Sequence, residues 1–302
     1  MKNIKMKEIN YTFIIPHHNC PNLLDRCLSS IPQRDDIQII VVDDNSDVDK
    51  RPIECGRSEV EYIYIDKAGS KGAGRARNIG MSKAKGKWLL FPDSDDYYNN
   101  GFIKVLDLYK DNDIDVLYFN FTFIDGESGK ILPKTKIQET IDAYEQSKEN
   151  EETIRYKNNS PWSKMVRCDF VKRIHAYYEE SLNGNDILFS LWIGYEAKKI
   201  AINGECLYNY IMVPNSLGTK QQSPQELVCR LIHIVKHNAY NNYIKHKEWN
   251  VNPLNFIVSQ IYRKRFKDSI AFLKVFIFEV PSLIIHRNEW IDIIFNKKLI
   301  IQ

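Results

Sequence analysis

Ile37-Gln38-Ile39-Ile40-Val41-Val42, followed at once by Asp43-Asp44-Asn45-Ser46-Asp47, decides the fold class of this chain. The run is dense in β-branched residues, so it reads as a strand buried on both faces, and it ends in carboxylates. Upstream, Thr12-Phe13-Ile14-Ile15-Pro16 is a second apolar strand, and His17-His18-Asn19-Cys20-Pro21 leads from it into a helix. Asn19 or Cys20 is the N-cap, Pro21 suits the first helical turn, and Leu23, Leu24, Cys27 and Leu28 form an apolar face. Strand, helix, strand with near-continuous apolar strands is the pattern of a parallel sheet covered on both faces. The fold class expected is therefore α/β.

Downstream, the short apolar run from Lys87 to Phe91 reads as another buried strand, and Pro92-Asp93-Ser94-Asp95-Asp96 follows it. Three carboxylates in four residues repel one another. A divalent cation would relieve that repulsion, since hard cations take carboxylate and phosphate oxygens. Asp also favours turns and caps, and an isolated Asp-X-Asp would be no more than a polar turn. The neighbouring strand ends tip the balance. In open α/β sheets ligands bind beyond the carboxyl ends of the strands, and His17, Asp43, Asp44, Asp93 and Asp95 all fall at that edge. Such a rim suits a polar, phosphorylated ligand.

Between these strands lies Lys71-Gly72-Ala73-Gly74-Arg75-Ala76-Arg77-Asn78-Ile79-Gly80. It is not a dinucleotide fingerprint, because Arg77 stands where close helix–strand packing needs Gly or Ala. The stretch predicts a helix from about Ala73 to Lys85, whose N-terminal N–H groups face an anion. Arg75 and Arg77 are two residues apart and cannot share a helical face, so only one should point at the ligand. Arg77 is the candidate; the alternative is a solvated basic helix.

Phe13-Ile14-Ile15-Pro16-His17-His18-Asn19, Leu23 to Ile31, Ile40-Val41-Val42-Asp43-Asp44-Asn45-Ser46, Gly74 to Gly80 and Asp93-Ser94-Asp95-Asp96, in that order and spacing, resemble family-two glycosyltransferases. The similarity is strong over about residues 10–100 and weaker to about 218. It implies a GT-A fold, with a Rossmann-like, mostly parallel central sheet flanked by helices. It also implies a nucleotide-sugar donor, Mn²⁺ or Mg²⁺, and inversion at the anomeric carbon. By the resemblance, Pro16, His17 and Asn19 surround the nucleobase and ribose, and Asp43 reads the uracil edge with Asp44 beside it. Gly74 and Arg77 lie near the base and diphosphate, Asp93 and Asp95 hold the metal, and Ser94 sits between them in the donor site. His18 stands where a Tyr is common in the family.

Further on, Ser160-Pro161-Trp162-Ser163-Lys164, Gly184-Asn185-Asp186-Ile187-Leu188-Phe189 and Leu207-Tyr208-Asn209-Tyr210 with Asn215-Ser216-Leu217 resemble the subgroup that builds bacterial surface polysaccharides. That resemblance makes Asp186 the catalytic base. Asn185 departs from the usual Glu, and Asn cannot accept a proton. Locally, Asn183 or Asn185 caps a helix in which Asp186 occupies the first turn, ahead of an apolar face of Ile187, Leu188, Leu191 and Trp192. Read without the resemblance, Asp186 is only a partner of the helix dipole.

At 302 residues the chain is expected to hold a catalytic domain over 1–218, with a nucleotide-sugar half at about 1–100 and an acceptor half at about 101–218. A C-terminal helical extension over 219–302 completes it. A net charge of +3 is too small to argue for nucleic acid. The charged segment Met1 to Asn10 is not a signal peptide, and no apolar run of about 18 residues is present to span a bilayer. The six cysteines lack paired short spacing and read as reduced, mostly packed thiols of a cytoplasmic protein. His233 and His237 are four apart without a third ligand at matching spacing, which predicts a helix surface or interface.

From Ser223 onward, helices are expected over 225–243, 255–263 and 270–280, the first with Leu227, Leu231, Ile234, Val235 and Asn238 along one side. The basic, aromatic run Tyr262 to Lys267 before an apolar stretch suits contact with an anionic membrane face. A bundle packed on the catalytic domain, or on a second subunit as a homodimer, is the other reading. The function expected is transfer of a hexosyl or N-acetylhexosaminyl group from a uridine diphosphate sugar to a hydroxyl of a surface glycan or lipid-linked saccharide. This would happen in the cytoplasm or peripherally at the inner membrane face. Two rivals remain. A sugar-1-phosphate nucleotidyltransferase would need a Gly-rich loop soon after the first strand, which His17-His18-Asn19-Cys20-Pro21 is not. A non-catalytic nucleotide-sugar-binding relative stays open because of Asn185.

Overall fold

The computed structural model describes residues 8–145, 147–181, 184–213, 223–247, 250–252 and 255. They fall into two compact units, one within Met1–Glu180 and Phe189–Met212, the other within Ser181–Leu188 and Val213–Gln302. The expected helices at 255–263 and 270–280, the basic run 262–267, Asn183 and the segment 215–217 lie outside the described residues, save for 255 itself.

The first unit is built on one eight-stranded sheet. Its strands are β1 (Tyr11–His17), β2 (Ile37–Asp44), β3 (Val60–Ile65), β4 (Trp88–Leu90), β5 (Tyr97–Tyr98), β6 (Val116–Asp125), β7 (Lys164–Arg167) and β8 (Ile200–Met212). They lie in the order β3-β2-β1-β4-β7-β6-β8-β5. The four strands β3, β2, β1 and β4 are mutually parallel, as the apolar runs predict. The other half is mixed: β7 is antiparallel to both β4 and β6, β6 and β8 are parallel, and β5 is antiparallel to β8. Every residue of β1 and β2 is buried, as befits central strands covered on both faces. Side chains alternate between two cores. Tyr11, Phe13 and Ile15 pack with Leu24, Leu28 and Phe102, while Ile14 packs with Leu89, Phe91 and Phe189.

Helix α1 (Pro21–Ser30) is capped by Cys20, and Leu24, Cys27 and Leu28 form its buried face. Helix α2 (Ala73–Lys83) starts after Gly72 and lies against β1. A Cβ at Gly80 would meet Ile14 Cγ2 at 2.3 Å, so only Gly permits this approach. Gly72 itself has φ +84°, a left-handed conformation that favours Gly and turns the chain into the helix. The remaining helices of this part of the chain are α3 (Phe102–Asp107), α4 (Lys136–Asp142), α5 (Lys148–Lys157), α6 (Cys168–Arg173) and α7 (Ile187–Glu196).

In the second unit, α8 (Pro224–Tyr243) opens with a capping box: Glu226 N–H donates to Ser223 Oγ at 3.3 Å, and Ser223 N–H donates to Glu226 Oε2 at 2.7 Å. Leu227 and Leu231 are buried as expected, but Ile234, Val235 and Asn238 are only partly buried. The buried face instead takes in His233, Ala239, Tyr240 and Asn241. His233 is thus an interior residue rather than a surface one, with Nε2 3.1 Å from Ser181 Oγ. All six cysteines are free thiols; Cys27 and Cys168 are buried and Cys55 is exposed.

Candidate active site

The carboxyl ends of β1 and β2 form one wall of the site. Their parallel register sets His17 opposite Asp43 and Pro16 opposite Val42. Cys20 N–H donates to His17 Nε2 at 3.3 Å, which leaves the ring proton on Nδ1 to donate to Asp43 Oδ1 at 2.7 Å. Asp43, 2% exposed, also accepts from Ser46 Oγ at 2.5 Å and Ser46 N–H at 3.2 Å. Asn19 joins this network: its N–H donates to Ser46 Oγ at 2.8 Å, and its Oδ1 accepts Asp47 N–H at 2.8 Å. His18 is exposed and donates from Nδ1 to the Asp44 carbonyl at 2.8 Å, so it pins the same loop.

Asp44 differs from its neighbour. Its Oδ2 accepts Gly72 N–H at 2.8 Å, just ahead of α2. Its Oδ1 is buried and has no hydrogen-bond partner among the described residues, although Asp44 is only 7% exposed. An unpaired buried oxygen is costly and calls for a donor. Asp43 is already engaged by His17 and Ser46, so the open acceptor on this wall belongs to Asp44.

The opposite side is the turn that follows β4. Arg77 Nη2 donates to Asp93 Oδ1 at 2.5 Å, and its guanidinium lies 5.2 Å from the centre of the Tyr178 ring. Arg77 is 4% exposed and Gly74 is buried in the first turn of α2. Arg75 goes elsewhere, pairing with Glu180 beside Lys71. The two arginines therefore diverge, as their spacing predicts. Burial works to raise the pKa of Glu180, but the hydrogen bond from Lys71 and the charge of Arg75 outweigh it and hold the group below its usual value. Ser94 Oγ is 3.2 Å from Cys20 Sγ, which ties this turn to the head of α1, and Arg26 donates to the Asp95 carbonyl at 2.5 Å.

Asp93, Asp95 and Asp96 each offer an oxygen, all within 4.8 Å of one another. Burial, then the charge of Asp93, pushes the Asp95 carboxyl up to about 6. Burial, with Asp95 and Asp93 nearby, raises Asp96 well above the ordinary carboxylate range. The three do not have equal roles. Both Asp96 oxygens already accept protein donors, Oδ2 from Tyr208 Oη at 2.9 Å and Oδ1 from Ile211 N–H at 2.7 Å. Asp95, together with the Asp93 oxygen that does not accept from Arg77 Nη2, is therefore the better candidate cation ligand than Asp96. This oxygen-only donor set, crowded with negative charge, fits a hard divalent ion such as Mg²⁺ or Mn²⁺.

The first unit thus gathers Pro16, His17, Asn19, Asp43, Asp44, Gly74, Arg77, Asp93, Ser94 and Asp95 at one end of the parallel strands. Asp186 is not among them: it belongs to the second unit, one residue before α7, where Asn185 Nδ2 lies 3.5 Å from the Ser181 carbonyl. Trp162 and Lys164 are interior. Trp162 stacks on Tyr208, and Lys164 Nζ donates to the Asn158 carbonyl at 2.9 Å and Ser190 Oγ at 3.1 Å. The sequence placed Asp96 in the acidic cluster without a role of its own, and gave Cys20 and Tyr208 none in the site. The sequence hint was the third carboxylate directly after Asp95.

The family model described as Glycosyl transferase family 2 matches residues 12–174. Poly(ribitol-phosphate) beta-N-acetylglucosaminyltransferase TarS of Staphylococcus aureus (strain MW2) is 27% identical over 243 residues, which cover 76% of this chain and 41% of the relative. The uncharacterized glycosyltransferase EpsJ of Bacillus subtilis (strain 168) is 26% identical over 228 residues, 68% of this chain and 62% of that protein. The chain thus spans about two fifths of the length of TarS. Among solved structures, residues 1–349 of S. aureus TarS in complex with UDP-GlcNAc superpose with a TM-score of 0.59 at 17% identity, over 93% of this chain and 88% of that one. That likeness is one of fold.

Proposed function

The chain belongs to glycosyl transferase family 2, and from that premise we propose that it is an inverting, metal-dependent glycosyltransferase using a uridine diphosphate sugar. One observation carries the reading. A buried carboxylate oxygen on Asp44 lacking a donor among the described residues, and a crowded pair of acceptors, Asp93 and Asp95, stand on the same rim of the parallel half of the sheet. The first suits a nucleoside N–H or hydroxyl and the second a cation with its diphosphate. The named activities of TarS and of a Bacillus spizizenii poly(ribitol-phosphate) beta-glucosyltransferase support an acceptor among cell-surface polymers, with a hexosyl or N-acetylhexosaminyl group transferred. Among the described residues no helix is long and apolar enough to cross a membrane. A lipid-linked acceptor would place the enzyme on the inner membrane face.

In this proposal Asp93 and Asp95 hold the cation, which when bound neutralises the charge developing on the leaving diphosphate. The protein's own groups do the rest. Asp44 receives the donor from the base, with Asp43 beside it; His17, Ser46 and Asn19 keep that wall rigid. Arg77 holds one oxygen of the Asp93 carboxylate and leaves the second for the cation. Asp186 accepts the proton of the acceptor hydroxyl as that oxygen attacks the anomeric carbon. The new C–O bond forms on the face opposite the departing diphosphate, which inverts the configuration.

Calorimetry of UDP with and without Mn²⁺, with a transfer assay on mixed surface-glycan acceptors, tests the proposal. UDP is expected to bind more tightly with Mn²⁺, and Asp95→Ala to lose that increment while keeping metal-free binding. Equal loss of both by Asp95→Ala contradicts the assignment. Binding without turnover of any UDP-sugar favours the non-catalytic relative.

A further inference from the structure

We propose that Tyr208 is a positioning residue for the metal-binding carboxylates, and that its hydroxyl sets the spacing of Asp93 and Asp95. This rests on the reading of those two residues as cation ligands. The Tyr208 hydroxyl accepts Asp93 N–H at 2.9 Å and donates to Asp96 Oδ2 at 2.9 Å. The direction follows from chemistry: a backbone N–H can only donate, so the single hydroxyl proton goes to the carboxylate. One oxygen therefore ties the first acidic residue of the turn to the last. Asp96 N–H closes the same turn on the Asp93 carbonyl at 3.2 Å. Asp95 sits between these two fixed points.

The tyrosine cannot swing away. It is 0% exposed, stacked on Trp162 with ring centres 5.0 Å apart and planes 10° from parallel, and edge-on to Tyr98 at 5.1 Å. Its strand reinforces the hold. Ile211 N–H donates to Asp96 Oδ1, and Asn209 Nδ2 donates to Asn99 Oδ1 at 2.6 Å. β8 thus clamps the segment 93–99 from a position more than 100 residues downstream. This also gives Trp162 and Tyr208 a shared function: they form the backing of the metal turn. Removing the hydroxyl leaves Asp93 N–H and Asp96 Oδ2 without a partner in the interior. The turn then relaxes and the cation's two ligands lose their fixed separation. Groups that orient metal ligands typically account for about 10- to 100-fold in metal affinity.

The test is Tyr208→Phe in the full chain, which keeps the ring stack and removes one oxygen. Mn²⁺ binding is read from the electron paramagnetic resonance of free Mn²⁺ without nucleotide, and UDP binding is measured without metal. The Mn²⁺ dissociation constant is expected to rise about tenfold or more while metal-free UDP binding is unchanged. A folded variant with wild-type Mn²⁺ affinity overturns the proposal, as does an equal loss of metal-free UDP binding. Should Tyr208→Phe not fold, Trp162→Phe shrinks the stacking partner and keeps the hydroxyl. It is expected to weaken Mn²⁺ in the same direction by a smaller factor, and unchanged affinity overturns the proposal. A wild-type protein that binds neither Mn²⁺ nor UDP removes the glycosyltransferase reading and this proposal together. Wild-type binding that Tyr208→Phe leaves intact sinks only the proposal.

Discussion

In the proposed site a proton and a divalent cation would compete for the oxygens of Asp95. Burial and the charge of Asp93 raise its pKa to about 6, above the ordinary carboxylate value of about 3.9. The folded protein therefore binds this proton more tightly than the unfolded chain does. The ionised group costs stability above about pH 6, and the cost fades as pH falls toward about 4. Two outcomes follow for the metal-free protein and for the metal. The thermal midpoint should carry a component that rises as pH drops through about 6, absent in Asp95→Asn. Mn²⁺ affinity measured across the same range should fall as the proton takes its place; a flat profile contradicts the assignment. Asp186 provides a different test. Asp186→Asn keeps shape and removes basicity, so the variant should fold and bind UDP with Mn²⁺ normally. Its transfer rate should drop by about 10²- to 10⁴-fold, the usual contribution of a positioned base. Near-normal transfer would move the role to another carboxylate.

Helix α2 is the element on which the proposed donor site depends, because Gly72 at its head meets Asp44 and Arg77 within its length meets Asp93. Its seat is Gly80 on Ile14, where a side chain has no room. Gly80→Ala should force helix and strand apart at a cost of about 1–3 kcal/mol, read as a lower thermal midpoint and weaker UDP binding. Ile14→Ala removes the opposing methyl, so the double variant should be more stable than the sum of the two single losses predicts. Additive losses would mean that the helix is seated elsewhere. The short-range pattern made this element legible: a Gly-rich approach, a Gly at the turn that needs φ +84°, and two arginines that cannot share a face. The partners of those arginines, Asp93 and Glu180, were not legible, since no local rule links residue 77 to 93 or 75 to 180.

For the whole molecule, binding and folding are linked. UDP with Mn²⁺ bound only to the native state should stabilise the protein by about 2.7 kcal/mol at 100 times the dissociation constant. The measurable result is a rise in unfolding midpoint that a chelator reverses to the smaller value seen with UDP alone. A midpoint indifferent to the chelator would show that nucleotide binding does not use the carboxylate pair.

The sequence by itself determined the α/β class, the parallel strands β1, β2 and β4, the helices α1 and α2, and the carboxylates at the strand ends. These are local properties: a strand buried on both faces must be apolar throughout, and a ligand rim must be polar where the strand stops. Only the tertiary structure decided which of those polar groups is free and which is anchored. Asp43 is engaged by a histidine 26 residues away, and Asp96 by a tyrosine 112 residues away, while Asp44 and Asp95 keep oxygens to offer. The antiparallel β7 beside β4 and the burial of His233 were likewise decided by chain return and packing. A hydrogen bond between distant residues depends on sheet register and strand order, and these exist only once the strands have met.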